Sequence, residues 1–440
     1  MHGPDSARIV SKVARVDSPR RRAAWALARA MGPRTHSAGG RAAGRMGIGG
    51  MSSVRASLAV VATHIAPARG YGGVAESVAR LAKAWERAGH RIVVCASDAS
   101  DGGPPIAAAQ VGLSGEVLLY RGRFWKRWGF GVAAPWVVAR ACAAADRVYV
   151  AGIATWPTTL AALCCRLSGR PYVVAPRGGL MPSHLDLIRR RKPHKWMFYR
   201  LFTFPTLRAA SAIHATSTLE ADGVRRLFPD IPILVLGNGL DMRDWPVQPP
   251  RPADGSLVLA YAGRLAPEKG IDRFLKVWSA CRRPGDRLLI AGDGGGDYAR
   301  RVREAAATSG GAVDFRGYQD AAGIRRLFAE ADMVVLPSGL EGGDVRENFG
   351  NAAAEAMASG RPLLVTSGLA WDGAAEAGAA LTFDPDEADL RRALAEAMAL
   401  GPERLGAMGR AGRALVERDL EIGVIAARLW QAMAARQDAG

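Results

Sequence analysis

Two stretches of the 440-residue chain repeat one pattern, in which an apolar strand is followed by a glycine-containing loop, a helix and a second strand. In the first stretch these are residues 58–62, the loop Gly70-Tyr71-Gly72-Gly73, residues 74–87 and residues 91–96. The second stretch begins at Leu257 and continues with strands at 287–291, 313–316, 333–336 and 362–365. Short apolar strands alternating with helices are typical of a parallel sheet covered on both faces. The sequence therefore predicts an α/β fold with two doubly wound, Rossmann-like domains facing a cleft.

The boundary between the two domains is predicted near residue 245. Residues 246–252 contain four prolines, which fit neither a helix interior nor a central strand. We therefore assign residues 51–245 to an N-terminal domain and residues 246–440 to a C-terminal domain, whose last helix is expected to return to the first. Ligands are expected at the carboxyl ends of the strands, in the cleft between the domains.

The first fifty residues stand apart from this pattern. They are rich in Arg, Ala, Gly and Ser without apolar periodicity, and we predict either a disordered basic extension or a protein that starts at Met46 or Met51. Residues 1–55 hold eleven Lys or Arg against two Asp, which is half of the net charge of +18. Because the remaining chain is only modestly basic, its charge does not indicate a nucleic-acid partner, and none is expected.

Cysteine usage and hydropathy bear on location. The five cysteines lack CxxC spacing, so neither a disulfide framework nor a zinc site is predicted, and a reducing, cytoplasmic compartment is expected. The charge-free stretch 148–165 has the minimum length of a membrane span. Gly152 and Pro157 interrupt it, so a buried strand, a turn and a helix start are predicted instead.

Three segments carry the candidate chemistry, and the first is the loop Gly70–Gly73. Glycines at Gly72 and Gly73 allow the backbone to approach a ligand, and the following helix start favours an anion. A plain strand-to-helix turn explains this loop equally well.

The second segment, residues 261–270, places two cations on either side of a turn that opens a helix. Arg264 offers a bidentate fork and Lys269 a point charge, a combination that suits a diphosphate better than a single carboxylate. A solvated surface pair is the alternative.

The third segment follows a predicted strand and begins the helix predicted at residues 348–359. Glu347 and Glu355 would lie on one side of this helix, two turns apart. Glu355 can accept hydrogen bonds from vicinal hydroxyls such as those of a ribose. Phe349 and Gly350 are expected to expose first-turn amides to the cleft, although exposed helical carboxylates are common.

In this order and spacing the three segments resemble the retaining glycosyltransferases of family 4, which have the two-domain GT-B architecture. The resemblance runs from about Leu58 to the C-terminus. It rests on Gly72-Gly73, on Gly263-Arg264-Leu-x-Pro-Glu-Lys269-Gly and on Glu347-x-Phe-Gly-x4-Glu355-Ala. Pro176-Arg177-Gly178-Gly179-Leu180, Ala215-Thr216-Ser217 and Gly237-Asn238-Gly239-Leu240-Asp241 also look like that family.

The resemblance implies transfer of a sugar from a nucleotide-diphosphate sugar to a saccharide or lipid-linked saccharide acceptor, with retention of configuration and without a metal or other cofactor. Such a reaction serves cell-surface polysaccharide or glycolipid assembly. Position by position, it gives a catalytic role to Arg264, Lys269 and Glu347. It assigns donor binding in the C-terminal domain and the glycine loop to Gly72, Gly73, Phe349, Gly350, Asn351 and Glu355.

The acceptor-side candidates are His64, Arg177 and His184. Many family members carry a histidine where this chain has Arg177, so the role usually given to that histidine is open here. His64 and His184 could instead be structural residues of a turn or helix. Asn348 and Ala370 also replace residues that are frequent in the family.

Two segments of the first domain mix cations with aromatic residues, residues 121–128 and 189–199. Cations beside Trp and Tyr suit an anionic membrane surface, so a peripheral position on the inner face of the cytoplasmic membrane is one prediction. A solvated charged face over buried aromatics is the other.

Rival functions remain. A nucleotide-sugar epimerase or a glycan phosphorylase of the same architecture would share the donor site. A non-catalytic basic adaptor for membrane or nucleic acid would use the N-terminal arginines, but it leaves the ordered set of Arg264, Lys269, Glu347 and Glu355 unexplained.

Overall fold

The structure is a computed structural model that describes residues 56–434, apart from residue 69, residue 102, residues 252–253 and residues 341–346. The basic extension predicted at residues 1–50 lies outside the described residues.

The first domain is built on a seven-stranded parallel sheet with the strand order β3-β2-β1-β4-β5-β6-β7. Its strands are β1 (Ser57–Ala62), β2 (Arg91–Ser97), β3 (Glu116–Tyr120), β4 (Arg147–Ala151), β5 (Tyr172–Ala175), β6 (Ala212–Ala215) and β7 (Ile233–Val235). Its helices are α1 (Gly73–Arg87), α2 (Ala134–Ala143), α3 (Trp156–Ser168), α4 (Pro182–Arg191), α5 (Pro193–Phe198), α6 (Phe204–Arg208) and α7 (Thr218–Leu227). A π-helical turn (Tyr199–Thr203) joins α5 to α6.

The second domain holds a six-stranded parallel sheet in the order β10-β9-β8-β11-β12-β13. Its strands are β8 (Val258–Ala262), β9 (Arg287–Ala291), β10 (Val313–Gly317), β11 (Met333–Leu336), β12 (Leu363–Thr366) and β13 (Ala380–Phe383). Its helices are α8 (Ile271–Cys281), α9 (Gly296–Ala307), α10 (Ala321–Ala329), α11 (Asn351–Ala358), α12 (Asp372–Glu376), α13 (Glu387–Ala399) and α14 (Pro402–Asp419), followed by α15 (Ile422–Ala434). The predicted class, two doubly wound α/β domains, is confirmed.

Burial on both faces explains why the central strands are apolar without alternation. All six residues of β1 are buried, with Leu58 and Val60 in one core cluster and Ala59 and Val61 in the other. Helix α1 covers the first of these faces with an apolar stripe at helical spacing. Each fully buried aliphatic side chain contributes about 1.5–3 kcal/mol to stability relative to an exposed one. The buried faces of its sheet therefore stabilise each domain.

The chain crosses between the two cores twice. Leu240 and Trp245 already pack in the core of the second domain, so that core begins before the proline-rich stretch. Helix α15 packs on α1 of the first domain, and its Ala426 carbonyl accepts a 2.9 Å hydrogen bond from the buried Trp85 indole. The C-terminal helix therefore ties the two domains together.

The apolar stretch 148–165 forms β4, a turn and the start of α3, which confirms the predicted strand, turn and helix. Within the part of the chain that the structure describes, none of the helices combines the length and the hydropathy needed to cross a bilayer.

Candidate active site

The topology of both sheets brings the candidate segments together. Chain progression reverses between the neighbours β1 and β4 in the first sheet and between β8 and β11 in the second. At such a switch point the connections leave on opposite faces of the sheet and open a crevice at the carboxyl ends of the strands. The Gly70–Gly73 loop follows β1, the Arg264–Lys269 turn follows β8, and Glu347 follows β11.

Lys269 and Glu347 form a mostly buried ion pair at the second switch point. The Lys269 ammonium donates a hydrogen bond to Glu347 Oε1, and the two side chains are 21% and 15% exposed. Ser338 Oγ donates to Glu347 Oε2 over 2.9 Å. Burial raises the pKa of Glu347, but Lys269 and Ser338 outweigh it and the pKa lies below its usual value. Glu347 is therefore a carboxylate at neutral pH.

The turn that carries Lys269 requires a glycine at its end. Residues 267–269 form a single 3₁₀ turn, and Gly270 has a φ of 64°. A Cβ atom there would lie 2.3 Å from the carbonyl oxygen of Pro337. The left-handed conformation and this close approach hold the turn against the loop after β11, and so place Lys269 beside Glu347.

Arg264 lies at the same edge but is not part of the buried pair. Its side chain is 63% exposed, and its guanidinium donates to Glu268, four residues along the chain. Its positive charge also contributes to the lowered pKa of Glu347. Arg264 is thus a solvent-exposed cation close to the Lys269–Glu347 pair.

The helix that was predicted at residues 348–359 begins later. Gly350 has φ 70° and ψ 73°, and α11 runs only from Asn351 to Ala358. Glu347 consequently lies in the loop before the helix, so the expectation that it shares a helical side with Glu355 was wrong. The left-handed glycine breaks the helical path and turns the Glu347 carboxylate toward Lys269.

Phe349 contributes to the core through its side chain. It is 8% exposed and packs against Trp371, with ring centroids 5.1 Å apart. The Trp371 indole donates a hydrogen bond to the Phe349 carbonyl. The bulky side chain anchors the loop, so only its backbone can face a ligand.

Glu355 faces the first domain and meets Arg80, a residue that the sequence analysis did not single out. Arg80 NH2 lies 3.7 Å from Glu355 Oε1, with the side chains 16% and 13% exposed. Among the residues that the structure describes, the Nε and NH2 atoms of Arg80 are buried and find no hydrogen-bond partner. The sequence offered only a weak signal for Arg80, which is that it follows Gly73 by two helical turns on α1. A bound anion or hydroxyl would satisfy these donors.

Burial raises the pKa of Glu355 to about 7 against the pull of Arg80, and Glu76 raises it further. The unfolded chain loses this proton near 4.5, so the folded protein loses stability as the pH rises from about 4.5 to about 7. At about 1.36 kcal/mol per pKa unit, the cost above pH 7 is about 3 kcal/mol.

Glu355→Gln carries no ionisable proton, so we expect it to be more stable than the parent at pH 8 and to lose that advantage at pH 4.5. Thermal unfolding of both proteins across this range measures the difference. Glu304→Gln, an exposed glutamate paired with Arg300, is the control and should track the parent. A pH-independent difference for Glu355→Gln would contradict the raised pKa.

Side-chain amides of the second domain bridge the cleft. Asn348 Nδ2 donates to Thr216 Oγ1 over 2.7 Å, and its Oδ1 accepts from Ser217 Oγ over 2.6 Å. Behind them Glu220 is fully buried and accepts hydrogen bonds from Gly178, Thr216 and Asn348. Burial raises the pKa of Glu220 despite these donors. The departure from glycine at Asn348 thus supplies an interdomain contact.

Asn351 forms a second bridge, directly at the glycine loop. Its Nδ2 donates to the Gly73 carbonyl over 3.2 Å, and its Oδ1 accepts from Asn238 Nδ2 over 2.7 Å. A Cβ atom at Gly73 would lie 2.2 Å from Asn351 Nδ2. The loop therefore approaches the start of α11 as closely as only glycine allows, while a Cβ atom at Gly72 (φ 70°) would meet none of the described residues within 4 Å.

Arg177 continues this chain of contacts into the first domain. Its guanidinium donates to Asn238 Oδ1, and NH2 donates to the Tyr149 hydroxyl over 3.0 Å. Tyr149 in turn hydrogen-bonds His214 Nδ1 over 2.7 Å, while His214 Nε2 lies 2.7 Å from the Leu236 carbonyl. Because a carbonyl only accepts, Nε2 carries the proton and Tyr149 donates to Nδ1.

His214 stays neutral in this series of hydrogen bonds, since burial lowers its pKa to about 3. Arg177 has a φ of 55°, a left-handed conformation that is rare for a residue with a side chain. Arg177 thus places a positive charge at the cleft, at a position where the glycosyltransferases that this chain resembles often have a histidine.

The two histidine candidates lie in different surroundings. His64 is buried and stacked on Tyr71 with centroids 3.4 Å apart, and burial lowers its pKa to about 4. His184 lies in α4, where burial first and then the charges of Lys195 and Lys192 lower its pKa to about 4. Both are neutral at pH 7, and His64 is covered by the tyrosine of the glycine loop.

No group of three or more His, Cys, Asp or Glu side chains among the described residues is arranged to hold a metal ion. What the described cleft offers a ligand is cations, carboxylates, side-chain amides and backbone groups of a helix start.

Two family models match the two domains in order. A glycosyl transferase 4-like domain matches residues 72–239, and the model of the glycosyl transferases group 1 matches residues 256–400. The fold and the matched domains define a two-domain glycosyltransferase of the GT-B type. The two models together support a GT-B glycosyltransferase, as the resemblance of its motifs predicted, with the group 1 match confined to the second domain.

Curated relatives match part of the chain. Glycogen synthase of Mycobacterium tuberculosis is 35% identical over 170 residues, which are 37% of this chain and 38% of that protein. A GDP-mannose-dependent monoacylated alpha-(1-6)-phosphatidylinositol monomannoside mannosyltransferase of Corynebacterium glutamicum is 32% identical over 180 residues, 40% of this chain and 46% of that protein. The chain thus spans less than half the length of these relatives.

Solved structures match almost the whole described chain at low identity. Sucrose-phosphate synthase of Thermosynechococcus elongatus has a TM-score of 0.68 at 18% identity, covering 88% of this chain and 100% of that one. HepE of Anabaena, in complex with UDP and glucose, has a TM-score of 0.65 at 18% identity over 86% of this chain and 99% of that one. At such identity the likeness shows the fold.

Proposed function

We propose that this protein transfers a sugar, with retention of anomeric configuration, from a nucleotide-diphosphate sugar to a saccharide or lipid-linked saccharide, in the assembly of cell-surface polysaccharide or glycolipid. The observation that carries the proposal is the Lys269–Glu347 pair at the switch point of the second sheet. Glu355 on the next helix and the Gly72-Gly73 loop of the other domain complete the cleft.

The proposed roles follow the charges. Cleavage of the glycosyl–phosphate bond leaves extra negative charge on the departing nucleoside diphosphate, and preorganised cations stabilise such charge in a water-poor site. We assign this to Lys269, to Arg264 after it leaves Glu268, and to the backbone of Gly72 and Gly73. No metal or other cofactor is needed in this scheme, so a chelator should leave turnover unchanged.

The carboxylates face the neutral parts of the donor. Glu347, held ionised by Lys269, accepts hydrogen bonds from hydroxyls of the donor sugar, and Glu355 accepts from the ribose. Phe349, Gly350 and Asn351 shape the backbone at the start of α11. Arg177, with its charge held at the cleft, faces the acceptor side. We assign His64, which lies beneath Tyr71, and His184 to the same side as neutral residues.

The relatives support the donor class. HepE was solved with UDP and glucose, and the Corynebacterium glutamicum relative is named as GDP-mannose-dependent. The five cysteines are free thiols, which agrees with the proposed cytoplasmic location, where nucleotide sugars serve as donors.

A thermal-shift series with UDP, GDP, ADP and the corresponding monophosphates tests the donor site. We expect one diphosphate to stabilise the protein by about 2.7 kcal/mol at 100 times its dissociation constant. A monophosphate of the same base should do less, because it does not span Arg264 and Lys269. If no nucleotide stabilises the protein, the proposal fails. With the identified sugar donor, a product of inverted anomeric configuration would refute retention, and release of sugar phosphate would indicate a phosphorylase.

A further inference from the structure

The two segments rich in cations and aromatics meet on one surface of the first domain, here named the aromatic-basic face (residues 121–130 and 189–202). Several of its large apolar side chains point into solvent. Phe124 is 78% and Trp125 68% exposed, and Met197 and Leu201 are 58% and 61% exposed. Contiguous exposed apolar side chains of this size mark interaction sites in soluble domains.

Aromatic contacts join the two segments from beneath. The Trp128 ring lies 6.0 Å from that of Phe198, and Phe198 lies 5.0 Å from Phe202. Trp128 also contacts Phe130 and Trp156, with ring centroids 6.4 and 5.4 Å away. The exposed residues therefore lie over packed aromatic rings and form a single face. In the linear sequence this face is seen only as two separate segments.

The charge of the face has one sign. Residues 121–130 and 189–202 contain no Asp or Glu. Their basic residues are Arg121, Arg123, Lys126, Arg127, Arg189, Arg190, Arg191, Lys192, Lys195 and Arg200. Burial and the charge of Lys192 lower the pKa of Lys195. Exposed aromatics surrounded by an excess of cations match the headgroup region of an anionic bilayer, where rings enter the interface and cations meet lipid phosphates.

The face adjoins the cleft. The Trp128 indole donates to the Ala154 carbonyl over 2.9 Å and the Tyr120 hydroxyl to the Gly129 carbonyl over 2.8 Å, so this segment covers the ends of β3 and β4. Arg127 pairs with Asp101 over 3.8 Å. Asp101 in turn packs against Gly70, where a Cβ atom would lie 2.4 Å from its own. The face thus borders the glycine loop at the active-site edge of the sheet.

We propose that the aromatic-basic face docks on an anionic lipid bilayer and holds the cleft at the membrane surface. Given the function proposed above, the acceptor then is a saccharide whose lipid anchor stays in that bilayer. Docking itself does not depend on catalysis, so vesicle binding and nucleotide binding can fail separately.

Vesicle sedimentation of the full chain tests the proposal. The experiment compares phosphatidylcholine vesicles with vesicles that also contain about 30% phosphatidylglycerol, each at low and at high salt. We expect binding only to the anionic vesicles and weakening with salt. Two variants address the face, Phe124→Ser/Trp125→Ser and Arg189→Ala/Arg190→Ala/Arg191→Ala. At about fivefold per cation at the surface, the triple variant should bind roughly 100-fold more weakly.

Matched controls come from the second domain. Tyr318→Ser removes an aromatic that is 62% exposed, and Arg300→Ala/Arg301→Ala/Arg303→Ala removes three exposed cations from α9. Both should bind vesicles like the parent. All variants should keep the parent's melting temperature and its stabilisation by the nucleoside diphosphate, which separates docking from the donor site.

Either of two results would overturn the proposal. Parent-like vesicle binding by both face variants would place binding elsewhere, for example in the basic residues 1–55. Absence of vesicle binding by the parent would also overturn it. If the parent then binds a single-stranded oligonucleotide and the two face variants do not, the partner of the face is a nucleic acid instead.

Discussion

Lys269→Ala is expected to lower the turnover number about 10²–10³-fold, the loss typical of removing one preorganised group that stabilises transition-state charge. Lys269 is largely buried beside Glu347, so water replaces its ammonium poorly. Because Lys269 also lowers the pKa of Glu347, the pKa of Glu347 should be higher in the variant. Glu347 should then become protonated as the pH falls, and the variant should lose further activity. Steady-state kinetics at saturating donor, recorded as a pH profile, measure both effects.

The same domain offers a matched control for Lys269. Lys276 on α8 pairs with Glu387 over 3.8 Å, but its side chain is 78% exposed. Lys276→Ala should keep the parent's turnover and pH profile. A Lys269→Ala protein that folds and turns over within a few-fold of the parent would show that this lysine does not stabilise the leaving group.

Glu347→Gln is expected to lower kcat/KM for the donor about 10- to 100-fold. A hydrogen bond to a charged group contributes about 1.5–3 kcal/mol, and the amide cannot accept from donor hydroxyls at its NH2 end. Because the amide is nearly isosteric and still accepts from Lys269, we expect the fold to survive. Kinetics with the donor identified by thermal shift give the ratio, with Glu387→Gln as the exposed control.

The double variant Lys269→Ala/Glu347→Gln separates a working pair from two independent residues. Since Lys269 keeps Glu347 ionised, the two losses should overlap, and the double variant should lose clearly less than the product of the single losses. Strictly multiplicative losses, or a parent-like Glu347→Gln protein, would contradict the proposed cooperation between the two side chains.

Local sequence patterns predicted most of the secondary structure. The strands predicted at 287–291 and 333–336 agree with the structure residue for residue. Their apolar periodicity and flanking loops depend only on near neighbours in the chain. The helix predicted from Asn348 was wrong because Gly350 has a left-handed conformation. A Cβ atom there would lie 3.2 Å from both Glu347 and Trp371, a crowding that no local apolar pattern reveals.

By itself, the sequence determined the two-domain α/β class and, through ordered motifs, the glycosyltransferase family. It also singled out Arg264, Lys269, Glu347 and Glu355 as one set. Only the tertiary structure decided which partners these side chains have: Arg80 for Glu355, Ser338 for Glu347 and Glu268 for Arg264. Strand order and the interdomain bridge of Asn351 to Gly73 were likewise decided there. Such contacts join residues as far as 278 positions apart, and no local spacing encodes them, because they arise only when the sheets and their helices pack together.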